Sequence, residues 1–467
     1  MSASFTVADV TTALGREPAQ LPDPAAAFER VVIDSRRTAA GDLFVAIRGD
    51  HFDGNDFLGA AVEAGATGAV GEDGPFDGRD GVAFWPVEDG REALQKLAVH
   101  HRRRLEVPLV AITGSNGKTT TKELVAAVLS QRFRTTWTQG NLNNQIGVPL
   151  TLFEIDPEDE WAVVELGTNR SGEIARLAEI TGPEVGIITN VAASHLEGLG
   201  TVEKVVEEKM ALGRALGSGE LLIYCGDQER LREAAAGLAC DTLSYGLEPH
   251  NDLAPEGWSL DEDGRGTFRL DGRTFRLRIP GRHNLVNALA AVAMGREAGI
   301  EDGAIAAGLA EIDGLPLRMQ LQRWGDVTAL IDCYNANPES VLSAASTLSR
   351  LGGTRRRVAV LGKMLELGRR SRELHARTGR ELAGTVDLVI AVGEEASPIA
   401  EGAAAAGLEN RRFPGREAAA EWLIDHLRSG DAVLFKASRG AELERVVAPV
   451  REACLERSGL PVPGEGG

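Results

Sequence analysis

Short apolar, β-branched runs alternate with longer Ala/Leu-rich stretches of helical period along most of the chain. The runs Val31–Ile33, Leu109–Thr113, Trp161–Leu166, Val185–Thr189, Leu221–Tyr224, Val358–Leu361, Leu388–Val392 and Ala432–Lys436 predict strands. Most are continuously apolar, as strands are when helices cover both faces. The pattern therefore predicts an α/β chain with mostly parallel sheets. Between Gly246 and Ile279 it changes: Phe268, Leu270, Phe275, Leu277 and Ile279 alternate with polar positions, which predicts an antiparallel hairpin region in the middle of the chain. No repeat of about 20 to 50 residues is visible, which argues against a solenoid.

At roughly 100 to 200 residues per domain, 467 residues make about three domains. A basic stretch from His100 to Glu106, followed by Val107 and Pro108, precedes a strand and marks one boundary. A second falls near Gly314 to Arg318, after a helical Ala/Gly region. The expected domains are residues 1–106, 107–315 and 316–467. The tail Pro461–Gly467 has the composition of a disordered segment.

The formal net charge of -19 is the wrong sign for a general nucleic-acid or anionic-membrane binder. Any anionic substrate must be held by local Lys and Arg clusters. Cys225, Cys240, Cys333 and Cys454 are widely spaced, with no C-x-x-C, which favours buried free thiols over zinc or disulfides. No stretch reaches the ~18 apolar residues of a membrane span, and the N-terminus does not read as a signal peptide. A cytoplasmic protein without membrane insertion is expected.

The strongest chemical signal is Val110-Ala-Ile-Thr-Gly-Ser-Asn-Gly-Lys-Thr-Thr-Thr121, an apolar strand running into a Gly-rich turn and a helix. Gly114 and Gly117 let backbone approach a phosphate, and the first N–H groups of a helix favour an anion. Thr113, Ser115, Asn116 and Thr120 complete the loop. Lys118 is placed to reach the β- and γ-phosphates of ATP, and the Thr119 hydroxyl to ligate Mg2+. The first glycine of the usual eight-residue spacing is replaced by Ile112, which leaves a shorter T-G-S-N-G-K-T-T form.

That short loop resembles the Mur ligases and their folylpolyglutamate synthetase relatives, which use ATP to join a carboxylate to an amine. Two further segments resemble the MurF type, which adds D-alanyl-D-alanine: Gly140-Asn-Leu-Asn-Asn-Gln-Ile-Gly-Val-Pro-Leu-Thr151 and Asp332-Cys-Tyr-Asn-Ala-Asn-Pro338; the Ile33-Asp-Ser-Arg36, Gly41-Asp-Leu-Phe44 and Asp53-Gly54 series resembles the UDP-binding domain shared by the MurE and MurF types. The likeness runs from about residue 30 to 450. It implies an N-terminal domain for a UDP-linked precursor, a central P-loop-type ATP domain, and a Rossmann-like C-terminal domain that binds the amine and closes on ATP.

The resemblance also implies roles for individual residues. Glu165 would hold Mg2+, and His195 with a carbamylated Lys209 would hold a second Mg2+. Spacing from His195 selects Lys209 over Lys204. Lys118, His195 and Lys209 are the catalytic set. Asn284, Asn287 and Asn335 fall on the adenine side, Asp332 on the ribose, and Arg318 on the γ-phosphate. Ser35, Arg36 and Arg48 would meet UDP, since Arg can donate bidentate hydrogen bonds to phosphate. Lys436, Ser438 and Arg439 would lie near the carboxylate of D-Ala-D-Ala.

The implied substrates are UDP-MurNAc-tripeptide and D-Ala-D-Ala, in peptidoglycan synthesis, with the enzyme a monomer. The family often has His at Arg170, Gly at Leu317 and Ala437, a second Asp at Cys333 and Asp at Lys363. These departures keep open a non-catalytic nucleotide-binding protein on the same scaffold. The MurE type, which adds the third amino acid, usually carries a D-N-P-R motif that this chain lacks.

Overall fold

The structure is a computed structural model and describes residues 3–49, 51–72 and 81–461. The segment expected to be disordered lies, after Pro461, outside these residues. The chain is α/β, with three parallel or mostly parallel sheets following one another in sequence. The first is ordered Val31–Val32, Leu43–Val45, Gly68–Glu72, Ala83–Val87, all parallel. Helix Gly90–Arg103 follows, with Asp89 capping its N-terminus and His100, His101, Arg102 and Arg103 in its last turn. The basic stretch read as a boundary is thus the end of a helix, where cations complement the dipole.

The central sheet is ordered Asp241–Tyr245, Leu221–Cys225, Val185–Ile188, Leu109–Thr113, Trp161–Glu165, Thr135–Trp137, and every neighbouring pair is parallel. All strands of a parallel sheet end at one edge, so the segments after Thr113, Glu165 and Ile188 converge there. Helices Lys118–Leu129 and Arg282–Glu297 pack on each other beside the sheet. The alternating region forms a three-stranded antiparallel sheet, Gly257–Leu260, Arg265–Leu270 and Arg273–Pro280. Its register sets Phe268 opposite Phe275, with rings stacked 5.1 Å apart.

The third sheet is ordered Gln320–Trp324, Val327–Asp332, Asp431–Lys436, Arg356–Leu361, Leu388–Val392, Glu409–Phe413. Only its first pair is antiparallel. Strands that the apolar pattern did not predict include Thr135–Trp137, Asp241–Tyr245, Gln320–Trp324 and Glu409–Phe413, which all stand at sheet ends. An end strand has one open side and carries polar residues, which hides it from a search for apolar runs. The four cysteines are buried and free. Among the described residues no helix is long and apolar enough to cross a membrane.

Candidate active site

The buried strand Leu109–Thr113 delivers the chain to a loop that only small residues can form. Gly114 and Gly117 take φ of 150° and 80°. A Cβ at Gly117 would stand 2.5 Å from Asn287 Oδ1, and one at Gly114 would collide with Thr189 Oγ1. Asn287 is therefore packed directly against the loop. Gly117 caps helix Lys118–Leu129 with no side-chain hydrogen bond, so the first N–H groups of the helix are available to an anion. The end of strand Val185–Ile188 braces the loop: Asn116 N–H donates to Asn190 Oδ1 at 2.9 Å, and Thr189 Oγ1 donates to Asn116 O at 2.6 Å. Lys118 Nζ donates to Gly114 O at 2.7 Å. Loss of hydration lowers its pKa, as does Arg318, while Glu165 and Glu366 oppose the shift.

Ser115, Asn116, Lys118, Thr119, Thr120, Glu165, His195, Asn284, Asn287, Arg318, Asp332 and Asn335 line one cleft of about 1060 Å³ between the central and C-terminal domains. Glu165 ends its strand almost wholly buried. Its Oε1 accepts from Asn143 Nδ2 at 2.8 Å, and its Oε2 has no hydrogen-bond partner among the described residues. Asn143 belongs to the G-N-L-N-N segment, which sequence reasoning used only as a family marker. Its signal was position, an amide at the same sheet edge.

Lys209 is fully buried on helix Val202–Ala215, and Lys204 on that helix is exposed. Lys209 Nζ has no hydrogen-bond partner among the described residues. Burial, then Lys118, pushes its pKa well below that of a free lysine, which shifts the balance towards the neutral amine. Its neighbour Glu208 accepts from Gly172 N–H and Ile174 N–H, which fixes the loop carrying Arg170.

His195 takes a left-handed φ of 53° and sets Nδ1 2.5 Å from Glu366 Oε2 of the C-terminal domain. Burial lowers the His195 pKa, and the Glu366 carboxylate in contact with it partly opposes this. The same close contact with His195 holds the Glu366 carboxyl below its ordinary value. A carboxylate on Nδ1 leaves Nε2 as the nitrogen for a metal, an arrangement common for metal-binding histidines. Nothing local in Met364-Leu-Glu-Leu-Gly368 marks Glu366 for this contact.

The C-terminal domain closes the cleft. The Arg318 guanidinium lies 3.8 Å from the Tyr334 ring centroid. Leu317 and Met319 beside it have φ of 59° and 48°, conformations a glycine would take without strain. Asp332 accepts from Lys436 Nζ at 2.5 Å and from Met319 N–H at 3.3 Å. Cys333 turns away into the sheet core, where Sγ meets Phe435 O at 3.4 Å. Ala437 is accommodated because Gly362 faces it: a Cβ there would stand 2.7 Å from the Ala437 Cβ.

Other expected site residues are placed elsewhere. Arg36 pairs with Asp34, and Arg48 with Asp53 and Glu72, on the N-terminal domain, and neither they nor Ser35 lines the cleft. Lys436 lines it but is buried and tied to Asp332. Ser438 Oγ accepts from Leu365 N–H at 3.0 Å, and Arg439 is exposed beside Glu444. Lys363 pairs with Glu395 at a second cavity of about 460 Å³, of which Glu366 also forms a wall.

Among the described residues no group of three or more His, Cys, Asp or Glu side chains could hold a metal alone. Mg2+ needs no such group, because it keeps waters and shares phosphate oxygens around one or two protein ligands. The unpartnered Glu165 Oε2 fits such a role.

Three family models match the chain: a Mur ligase family catalytic domain over residues 28–102, a Mur ligase middle domain over 112–295, and a Mur ligase glutamate ligase domain over 317–439. The UDP-N-acetylmuramoyl-tripeptide--D-alanyl-D-alanine ligase of Bacillus subtilis is 35% identical over 91% of this chain and 93% of its own. The Escherichia coli enzyme of the same name is 35% identical over 96% and 99%. A crystal structure of MurF from Acinetobacter baumannii superposes with TM-score 0.88 at 32% identity, covering 97% of this chain and 99% of that one. MurF ligase from Thermotoga maritima, in complex with ADP, gives 0.82 at 30% identity over 92% and 98%.

Proposed function

This chain belongs to the Mur ligase family, and we propose that it is the ATP-dependent member that joins D-alanyl-D-alanine to UDP-N-acetylmuramoyl-tripeptide. The carrying observation is the single cleft that unites the phosphate loop, Glu165 and His195 with Arg318 and Asp332 of the next domain.

A carboxylate and an amine do not condense unaided in water. The γ-phosphoryl group of ATP passes to the terminal carboxylate of the tripeptide, leaving ADP and an acyl phosphate. The neutral amine of D-Ala-D-Ala attacks the acyl carbon. Phosphate then departs with one former carboxylate oxygen, and the nitrogen gives up its proton.

Lys118 turns from Gly114 O to the phosphates and steadies the charge on the transferring group. Arg318, held on Tyr334, reaches the γ-phosphate. Asp332, oriented by Lys436, receives the ribose hydroxyls. Asn284, Asn287 and Asn335 flank the adenine. Thr119 and Glu165 would hold one Mg2+, and His195 with Lys209 the other. Bound there, Mg2+ neutralises phosphate charge. The neutral amine of Lys209 would add to carbon dioxide with loss of one proton, and the carbamate would supply an anionic oxygen for that second ion. Ser35, Arg36 and Arg48 receive the UDP moiety, with Arg36 and Arg48 exchanging their carboxylate partners for phosphate. Lys436, Ser438 and Arg439 define the amine side, and the cavity on the 363–368 loop gives the dipeptide room. The enzyme acts as a monomer in the cytoplasm, in the precursor synthesis that supports cell-wall growth, shape and division.

Phosphate release with each substrate omitted in turn tests this reading. Release requires both tripeptide and dipeptide. Release with UDP-MurNAc-dipeptide and a single amino acid instead would overturn it.

A further inference from the structure

The Glu366–His195 contact is built on a strained turn. Glu366 holds a left-handed φ of 62°, unusual for a residue with a side chain, and Gly368 two residues on has 59°. The turn aims the Glu366 carboxylate at His195, and Glu366 O accepts from Glu197 N–H at 3.0 Å. Something must keep the turn from relaxing. Two consecutive N–H groups before it are pinned from outside the loop. Leu365 N–H is held by Ser438 Oγ. Met364 N–H donates to Nε2 of His375 at 2.9 Å.

His375 lies on helix Ser371–Glu381 with 1% exposure and does not line the main cleft. Its Nδ1 lies 2.7 Å from Ser371 O, one turn earlier on that helix. A carbonyl can only accept, so Nδ1 carries the proton, and Nε2 keeps the lone pair that receives Met364 N–H. Burial lowers the His375 pKa, in keeping with that neutral form. Both ring nitrogens are thus committed, and the ring cannot rotate without losing a buried hydrogen bond.

We propose that His375 is a positioning residue for the reaction centre: by holding Met364 N–H it keeps Glu366 in the turn that aims its carboxylate at His195. Its ring borders the second cavity, but both ring nitrogens are spent on protein partners, and it acts through Met364 and Glu366. Its effect on turnover rests on the ligase reading of His195; its effect on the Glu366–His195 contact does not.

The test uses the full chain and separates those two levels. His375→Gln can place Oε1 near the former Nε2 and still accept from Met364. His375→Asn reaches only as far as the Nδ1 position and cannot. In Mg2+-free protein at fixed pH, the His195 ring resonances of His375→Asn should move to where Glu366→Ala puts them, while those of His375→Gln stay near wild type. In turnover, His375→Asn should lower kcat about tenfold with KM for ATP within about twofold, and should cost nothing further in a Glu366→Ala background. Should His375→Asn not fold, Ser438→Ala removes the neighbouring pin and carries the same resonance prediction.

Equal losses in the Asn and Gln variants, unmoved His195 resonances, or a full additional loss in the Glu366→Ala background would overturn the proposal. If the wild-type protein shows no ligation while the resonances move as stated, the ligase reading fails and the positioning role stands.

Discussion

Asn337 Nδ2 of the C-terminal domain donates to Asn116 Oδ1 of the phosphate loop at 2.7 Å, across 221 residues of sequence. The same Asn337 side chain accepts from Ser340 N–H and caps helix Pro338–Ser349. One residue therefore starts a helix and ties its domain to the nucleotide loop. Asn337→Ser keeps a capping oxygen and loses the donor. KM for ATP should rise about five- to tenfold, the equivalent of one hydrogen bond, with Tm nearly unchanged. Asn337→Ala should show the same KM change and also a Tm lower by a few degrees, read by thermal melting.

Gly117 must stay glycine on two grounds, its φ of 80° and the 2.5 Å that a Cβ would leave to Asn287 Oδ1. Gly117→Ala should destabilise by about 1–3 kcal/mol and also weaken ATP binding, because relief moves either the loop or Asn287. Denaturant unfolding and nucleotide titration read the two effects. An unchanged midpoint with unchanged ATP affinity would contradict the close packing.

His283 is half-buried where the cleft meets the C-terminal domain, with Ser343 Oγ 2.9 Å from its Nδ1, and loss of hydration lowers its pKa from 6.5 to about 4. The unfolded chain therefore binds this proton first. Its contribution is complete above about pH 6.5 and is lost as pH falls towards about 4, up to about 3 kcal/mol. Tm should drop over that window, and His283→Gln should flatten part of the drop. A variant with the same slope as wild type would show that other groups carry it.

Lys209 should take up carbon dioxide and Lys204 should not. With 13C-labelled bicarbonate, a carbamate carbon resonance should appear in wild type and in Lys204→Met and be absent from Lys209→Met. No such resonance in wild type would remove the carbamate from the second metal position.

How far these features were legible depends on where each residue's partner lies. Buried central strands such as Leu109–Thr113 and Val358–Leu361 announce themselves because both faces are apolar. Glu409–Phe413 reads as a polar loop because it ends a sheet. The placement of Gly114, Gly117, Lys118 and Glu165 at one sheet edge was legible because it follows from strand ends and a helix start. Asn143, Glu366 and Asn337 were not, because each acts through a partner 22, 171 or 221 positions away in sequence (Glu165, His195 and Asn116). Local pattern carries no record of such pairs. The choice of Lys209 over Lys204 shows the intermediate case: spacing suggested it, and the burial of one lysine and exposure of the other agree with it.

The central claim is that the tripeptide carboxylate becomes an acyl phosphate before the peptide bond forms. Label both oxygens of that carboxylate with 18O, supply ATP, Mg2+ and D-Ala-D-Ala, and weigh the released phosphate and the pentapeptide product. One 18O should appear in phosphate for each pentapeptide made, with the other retained in the new amide. Unlabelled phosphate, or phosphate release that ignores the presence of D-Ala-D-Ala, would contradict it.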